Sequence, residues 1–380
     1  MENAPLPDLQ RLREAIERVD GDILESLRRR KALAEDIARA KLANASPFRD
    51  PTREELVLQR VRARATEHAL DPHEVERLYR LIIEMSVAQQ QALLQTLDTT
   101  PLRVGYPGLE GSYSHLAAQK RYAHRPGGVL LTGYDSAWAV ASSLERAETD
   151  VGLLPIENTS AGSMNETYDV LASGKLSITA ELVSRVDHRL LGLPGARLED
   201  VRVVLSHPQA FSQCEAFLRT VPFIRQVPEF DTAGAARRVK DTNDPSLAAI
   251  ASESAGERFG LAVLVRDVHA AQANYTRFVE VARESAAVAP GAACKTSLLI
   301  VLDHRPGALG QVLMHFTQRG VNLTKLESRP LPDSSWKYRF YLDLEGHAAS
   351  APLAAALEDI RPLTSQLTVL GTYARADAHA

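Results

Sequence analysis

Two cations stand where a helix should be apolar. From Leu9 to about Asn44 the chain has no proline and one glycine, Gly21, while Leu12, Ile16, Val19, Ile23, Leu33 and Ile37 recur at helical spacings of three and four. That register puts Arg30 on the apolar stripe, between Leu27 and Leu33. Lys41 follows eleven residues later and shares nearly the same face at about 100° per residue. A charge in such a seam costs desolvation unless an anion meets it. Further on, Ile82, Ser86, Gln90 and Leu93 run at spacings of four and three, bringing a hydroxyl and an amide into another apolar face. Arg30, Lys41, Ser86 and Gln90 describe an internal pocket for a small anion, with Asp50, Arg53 and Glu54 at its mouth. Snorkelling accounts for any one of these residues, but poorly for the set.

A second polar site is announced by LLPIENTSAGSMNET, Leu153 to Thr167. There an apolar run suited to a buried strand opens into hydroxyls, amides and small side chains with no lysine or arginine. GLEGSYSH and SHPQAF also follow apolar runs, at the strand ends where open α/β sheets bind ligands.

The elements that must position these groups have three textures. The first is helical: Asp50-Pro51 and Asp71-Pro72 each pair an aspartate N-cap with proline at the first helical position, and Glu74 stands at capping-box spacing from Asp71. The leading helix, roughly 50 Å long, needs a partner to cover its stripe. After a linker at Asp98 to Pro101, β-rich runs alternate with helical patterns, predicting α/β architecture with mostly parallel strands. A second linker runs from about Ala286 to Ala293. Beyond it TSLLIVL, a helix from Gly307 to Arg319, VNLTKLESRP, KYRFYLDLE, a helix through Leu357 and QLTVLGTY give the βαββαβ order of a ferredoxin-like module.

At 380 residues the chain exceeds one core and should form two or three domains. A net charge of −4 argues against a nucleic-acid binder, and the run Arg28 to Arg30 reads as a solvated helix face. No secretory signal or membrane-length apolar window stands out, so a cytoplasmic protein is expected. Cys214 and Cys294 are too few for a disulfide scaffold or zinc site and read as small hydrophobes. No metal or dinucleotide motif is present, so no cofactor is expected.

The stretch from Leu12 through Lys41, then RDPTREE and LIIEMSVAQQQ, resembles the all-helical chorismate mutase domain over almost all of residues 8–97. The resemblance implies rearrangement of chorismate to prephenate, with roles for Arg13, Arg30, Lys41, Asp50, Arg53, Glu54, Ser86 and Gln90. Such a rearrangement is pericyclic. Negative charge grows on the breaking ether oxygen, and fixed donors aimed there lower the barrier. Lys41 and Gln90 are the candidates for that task, with the arginines clamping two carboxylates and Glu54 receiving the ring hydroxyl. Arg13 lies 28 residues from Lys41 on one helix, roughly 42 Å away. The resemblance therefore implies an intertwined homodimer in which Arg13 enters the partner's site.

GLEGSYSHLAA, LLPIENTSAGSMNETYDVL, SHPQAFSQC and NYTRF make residues 103–283 resemble prephenate dehydratase, with mild departures at Leu109, Glu110 and Met164. Asn158, Thr159, Ser160, Ser163 and Asn165, joined by Ser206 and His207, are expected to line a cleft for a dicarboxylic acid. Decarboxylation supplies the electrons that expel the ring hydroxyl, so the site need only assist its departure. The resemblance gives that task to Thr276, with Arg277 as carboxylate partner; Glu157 and His207 are secondary candidates. Strand alternation sets Thr276 and Phe278 on one face and Arg277 on the other, so the two assigned roles conflict.

Residues 296–374 resemble an ACT domain, a small amino-acid-binding module. RPGALG and LESRP imply a phenylalanine site at Gly307, Ala308, Leu309, Glu327, Ser328, Arg329 and Pro330, with Arg305-Pro306 a stiffer lead-in than the motif demands. The expected whole is a helical mutase domain (1–98), a two-lobed α/β dehydratase domain (101–285) and a ferredoxin-like ACT domain (295–375). Such an enzyme of phenylalanine biosynthesis would take chorismate through prephenate to phenylpyruvate under phenylalanine feedback. Its homodimer would form through the N-terminal helices, with a higher oligomer left open and neither nucleic acid nor membrane as partner. The rivals are a non-catalytic small-acid sensor and a dehydratase whose helices only dimerise.

Overall fold

The structure, a computed structural model, describes residues 9–43, 50–97, 100–269, 274–288, 292–331 and 338–376. Of the two expected linkers, Asp98, Thr99 and residues 289–291 lie outside the described residues.

The N-terminal part is three helices, α1 (Leu9–Ala43), α2 (Pro51–Glu67) and α3 (Pro72–Leu97). Both Asp-Pro starts are as expected: the Asp50 carboxylate accepts from the Arg53 N–H at 2.9 Å, and that of Asp71 from the His73 N–H at 2.7 Å. Helix α3 packs against both others. Leu58, Ile83 and Val87 form a small core there, and Arg62 bridges Glu55 and Glu76. On α1 the buried apolar side chains, among the described residues, are Ala34 and Ala38. Ile16, Val19 and Ile23 are 62%, 57% and 52% exposed, so among the described residues of this part the N-terminal half of the predicted stripe is uncovered.

The next part begins with a first lobe: β1 (Leu102–Pro107), α4 (Tyr113–Tyr122), β2 (Val129–Tyr134), α5 (Ala137–Glu145), β3 (Val151–Asn158), β4 (Gly162–Ser163), α6 (Asn165–Ala172) and β5 (Ser177–Arg185). A second lobe follows, with β6 (Arg189–Gly192), β7 (Val203–Ser206), α7 (Pro208–Gln213), α8 (Glu215–Thr220), β8 (Arg225–Pro228), α9 (Thr232–Thr242), β9 (Leu247–Ala251), α10 (Glu253–Phe259) and β10 (Ala262–Val265). The chain then returns to the first lobe as β11 (Tyr275–Ala282).

The first sheet runs β2-β1-β3-β11-β5 and the second β10-β6-β9-β7-β8. Both are mixed, which corrects the mostly parallel expectation. Strand β1 is parallel to β2 and β3, but β11 enters antiparallel between β3 and β5. Helical crossovers dictate parallel neighbours; a strand arriving from an inserted lobe is under no such constraint.

The C-terminal module has β12 (Cys294–Val301), α11 (Ala308–Gln318), β13 (Leu323–Pro330), β14 (Tyr338–Glu345), α12 (Ala351–Ile360) and β15 (Gln366–Ala374), in the antiparallel order β13-β14-β12-β15. One sheet face carries the two helices, with Phe316 of α11 packed against Leu298, Ile300 and Leu342 of the strands in one core. Leu299, Tyr341, Leu370 and Tyr373 share a single core with Leu154, Tyr168 and Ile178 of the first lobe. Strand β15 crosses β5 so closely that a Cβ at Gly371 would collide with the Ile178 carbonyl, which is why glycine stands there. Cys214 and Cys294 are buried and unpaired, and burial pushes the Cys214 thiol up to about 12.

Candidate active sites

Between the two lobes lies a cleft of about 330 Å³ with no lysine or arginine among its described lining residues. Three helix starts open on it. Ser112 caps α4 through the His115 N–H, His207 caps α7 through the Gln209 N–H, and Asp231 caps α9 while also holding the Leu109 N–H at 2.8 Å. Gly108, at φ +99°, lets the turn before α4 close on these caps, since a Cβ would sit 3.0 Å from an Asp231 oxygen. The cleft's polar lining, among the described residues, is therefore hydroxyl, amide and imidazole groups with the Asp231 carboxylate, and no fixed cation.

Strand pairing sets Asn158, the last residue of β3, opposite Thr276 of β11. Past the strand end the chain turns back, and the Asn158 Oδ1 accepts the backbone N–H groups of Ser160 and Ala161, each at 2.9 Å. The amide can then point only one way. Its Nδ2 hydrogens are directed at Asn274 Oδ1 at 2.8 Å, Thr276 Oγ1 at 3.0 Å and the Tyr275 carbonyl at 3.1 Å. Because Thr276 Oγ1 is already an acceptor, the Thr276 hydroxyl hydrogen is left to donate elsewhere, and Thr276 lines the cleft.

Not every expected residue reaches this cleft. Arg277 points through the sheet to the opposite side, 8% exposed, where it meets Asp343 at 2.6 Å, Glu181 at 2.8 Å, the Tyr373 hydroxyl at 2.9 Å and Glu157 at 3.1 Å. Of the two, Thr276 lines the cleft, and the Arg277 guanidinium is engaged on the other face of the sheet. Glu157 lies on that same far side. Burial would push its carboxyl up, but Lys325 and Arg277 outweigh this and hold it below the usual range, so it is a poor proton donor. Ser163 donates to Glu327 at 2.6 Å and Asn165 bonds Arg329, both in the C-terminal module. Ser206 is buried and donates to the Ile250 carbonyl. Thr159 accepts from the Tyr275 N–H, and the Ser160 amide serves Asn158; neither residue lines the cleft. His207 does line it, and burial holds its imidazole below the ordinary value.

In the helical part Gln90 is 6% exposed, and among the described residues its Oε1 and the Nε of Arg30 are buried without a hydrogen-bond partner. Gln89 bonds Glu35, pinning α3 to α1 beside buried Ala34. Lys41 and Glu54 are half-buried. Ser86, also half-buried, donates to the Ile82 carbonyl. Asp50 is exposed and occupied as a cap, and Arg53 and Arg13 are exposed. One unbroken α1 carries Arg13 and Lys41, which confirms their separation within a chain.

Residues 12–91 match the family described as chorismate mutase type II, 104–286 match prephenate dehydratase and 296–362 match the ACT domain. A bifunctional chorismate mutase/prephenate dehydratase from Enterobacter agglomerans is 37% identical over 366 residues, 95% of each chain. The chain belongs to this bifunctional family. Among solved structures, a prephenate dehydratase from Arthrobacter aurescens in complex with L-Phe is similar over 73% of this chain and 91% of its own, at 30% identity and TM-score 0.66. A protein described as a novel type of quorum quenching acylase is 33% identical at TM-score 0.65, over 73% of this chain and all of its own.

Both activities are therefore carried by one chain, the mutase by the helices and the dehydratase by the two lobes. The cleft between the lobes is also lined by Ser112, Tyr113, His188, Gln209, Gln213 and Thr232, which sequence reasoning did not select. Ser112, Tyr113 and Gln209 lie inside the strand-end stretches GLEGSYSH and SHPQAF, so position alone could have found them, whereas Gln213 lies two residues past the second. His188 sits between two strands with no periodic signal. In the ACT domain, a cavity of about 130 Å³ takes Ala308 and Leu309 together with Asp303, His304 and Arg305. Gly307, at φ +77°, opens the helix beside it. Glu327 and Arg329 face the dehydratase lobe, while Ser328 and Pro330 are exposed, so one chain does not gather the expected effector residues.

Proposed function

We propose that the chain works as three parts, 1–98, 101–285 and 295–375, with Thr276 as the hydrogen-bond donor of the dehydration. The supporting observation is the Asn158 amide, which is oriented by two backbone N–H groups and occupies the Thr276 oxygen as an acceptor. Prephenate would lie with its carboxylates toward the starts of α4, α7 and α9. Its ring carboxylate leaves as carbon dioxide, the bonding electrons enter the ring, and the opposite C–O bond breaks to release hydroxide. Thr276 stabilises the charge growing on that oxygen, and His207 is a further donor to the substrate. Thr276→Val keeps the shape and removes the donor. Dehydratase kcat should fall on the order of 10²-fold or more while the mutase rate is unchanged. An unaltered kcat would make Thr276 a packing residue.

In the mutase, Lys41 and Gln90 would stabilise the ether oxygen, Arg30 and the partner's Arg13 would hold the two carboxylates, and Glu54 would take the ring hydroxyl. Asp50, Arg53 and Ser86 would shape the entrance, within a homodimer built on α1. The unpaired Arg30 and Gln90 atoms support this reading, since buried polar groups in native proteins have partners. Phenylalanine feedback would act at the cavity beside Ala308 and Leu309, and a relative, the Arthrobacter prephenate dehydratase, has been solved in complex with L-Phe. The reading includes a cytoplasmic location, which two unpaired cysteines fit.

A further inference from the structure

Beside Thr276 three carboxamides close a ring. Asn158 Nδ2 donates to Asn274 Oδ1 at 2.8 Å, Asn274 Nδ2 to Gln213 Oε1 at 3.0 Å, and Gln213 Nε2 back to Asn158 Oδ1 at 3.2 Å. Asn158 ends β3 and Asn274 immediately precedes β11, both in the first lobe, whereas Gln213 ends α7 in the second. The ring therefore spans the cleft floor from lobe to lobe. Asn274 and Asn158 are buried, at 1% and 5% exposure, and Gln213 is half-buried, so an amide turned the wrong way would set like polarity against like within the ring.

A ring of amides can run in either direction, and here two anchors choose one. The backbone N–H groups of Ser160 and Ala161 fix the Asn158 oxygen. On the opposite member, His188 Nε2 lies 2.7 Å from Gln213 Oε1, an oxygen that can only accept, so His188 carries its hydrogen on Nε2. Its Nδ1 stands 2.9 Å from the Tyr113 hydroxyl. His188 lies on the crossing from β5 to β6, and Asn274 on the return crossing into β11, the two places where the chain passes between lobes.

We propose that this ring is a directional latch between the lobes and that Gln213, Asn274 and His188 are positioning residues for the Thr276 hydroxyl. The inference rests on the reading of Thr276 as donor. Run in reverse, the ring would present the Asn158 oxygen to Thr276, whose hydrogen would then turn into the protein and away from the cleft. The latch direction thus decides whether Thr276 serves the substrate.

Gln213→Glu and Asn274→Asp test this with side chains of the same size. In each variant an ionised carboxylate oxygen replaces a donor and faces an amide oxygen that has no hydrogen to give. Once protonated, the same group can donate again with its other oxygen still accepting. Dehydratase kcat, relative to the unsubstituted enzyme, should fall on the order of 10²-fold at the alkaline end. It should then recover on acidification through the raised pKa of a buried carboxyl, over roughly pH 9 to 6, with KM little changed and the mutase rate unaffected. A residue with a merely structural role would give no such recovery. If either variant keeps full kcat, or is low at every pH, the latch is overturned. The parent reading is judged separately: an active Thr276→Val removes the donor role itself, whereas an inactive Thr276→Val beside pH-independent carboxylate variants removes only the latch.

Discussion

Burial holds the His188 imidazole down at about 4, against an ordinary value near 6.5, despite the hydrogen bond to Gln213. Between those two values the unfolded chain binds a proton that the folded chain refuses, so stability rises with pH across that window and is lost as pH falls through it. The shift is worth about 3 kcal/mol at full extent. Urea titrations at neutral pH and near pH 4 should show His188→Asn losing less stability on acidification than the parent protein, by about 2 kcal/mol. Equal losses would mean that His188 is protonated in the folded state. Thr276 and Arg277 make a complementary point. They are adjacent in sequence and opposite in direction, one lining the cleft and the other neutralised beneath the sheet. Strand period and motif were enough to place Thr276. Two of the Arg277 partners, Glu181 and Asp343, are 96 and 66 residues away, and no local pattern links them.

At the scale of elements, β11 joins the two functions of unit and site. Its cleft side carries Thr276 and Phe278, and its far side places Arg277 among Glu157, Glu181, Asp343 and Tyr373, so the ACT sheet is bound directly to the strand that lines the cleft. Burial alone would lower the guanidinium's affinity for its proton, but Asp343, Tyr373 and Glu181 raise it overall, and Arg277 stays charged. Arg277→Met keeps the length of the side chain and strands buried carboxylates without their cation. It should destabilise the dehydratase–ACT unit by about 3–5 kcal/mol, read as a lower urea midpoint, while the rate of the residual folded enzyme changes far less than in Thr276→Val. Equal stability would show that the cluster is solvated. Helix starts, the ACT element order and both chemical motifs were legible because caps, periods and turns act over a few residues. The antiparallel entry of β11 and the pairing of Ser163 with Glu327 and Asn165 with Arg329 were not, because they depend on which lobe returns where and which module docks.

For the whole molecule, the uncovered stripe of α1 and the position of Arg13 raise one question. Leu12, Ile16, Val19 and Ile23 stay about half exposed or more on the N-terminal half of a helix that α3 buries only further along, at Ala34 and Ala38, and burying them against a second copy would be favourable by roughly 1.5–3 kcal/mol for each side chain fully covered. The same pairing would bring Arg13 across to a site that its own Lys41 cannot share, being roughly 42 Å away. Mixing Arg13→Ala with Lys41→Ala tests both ideas together. Each variant alone is expected to have two damaged mutase sites per dimer. In a hybrid the defects collect in one site and the other is whole, so after unfolding and refolding the mixture about a quarter of all sites should regain parental mutase activity. Dehydratase activity in the same tube serves as the standard for recovered protein. A mixture that never exceeds its two parents would place Arg13 outside the mutase site and leave the α1 stripe to an interface with no share in the chemistry.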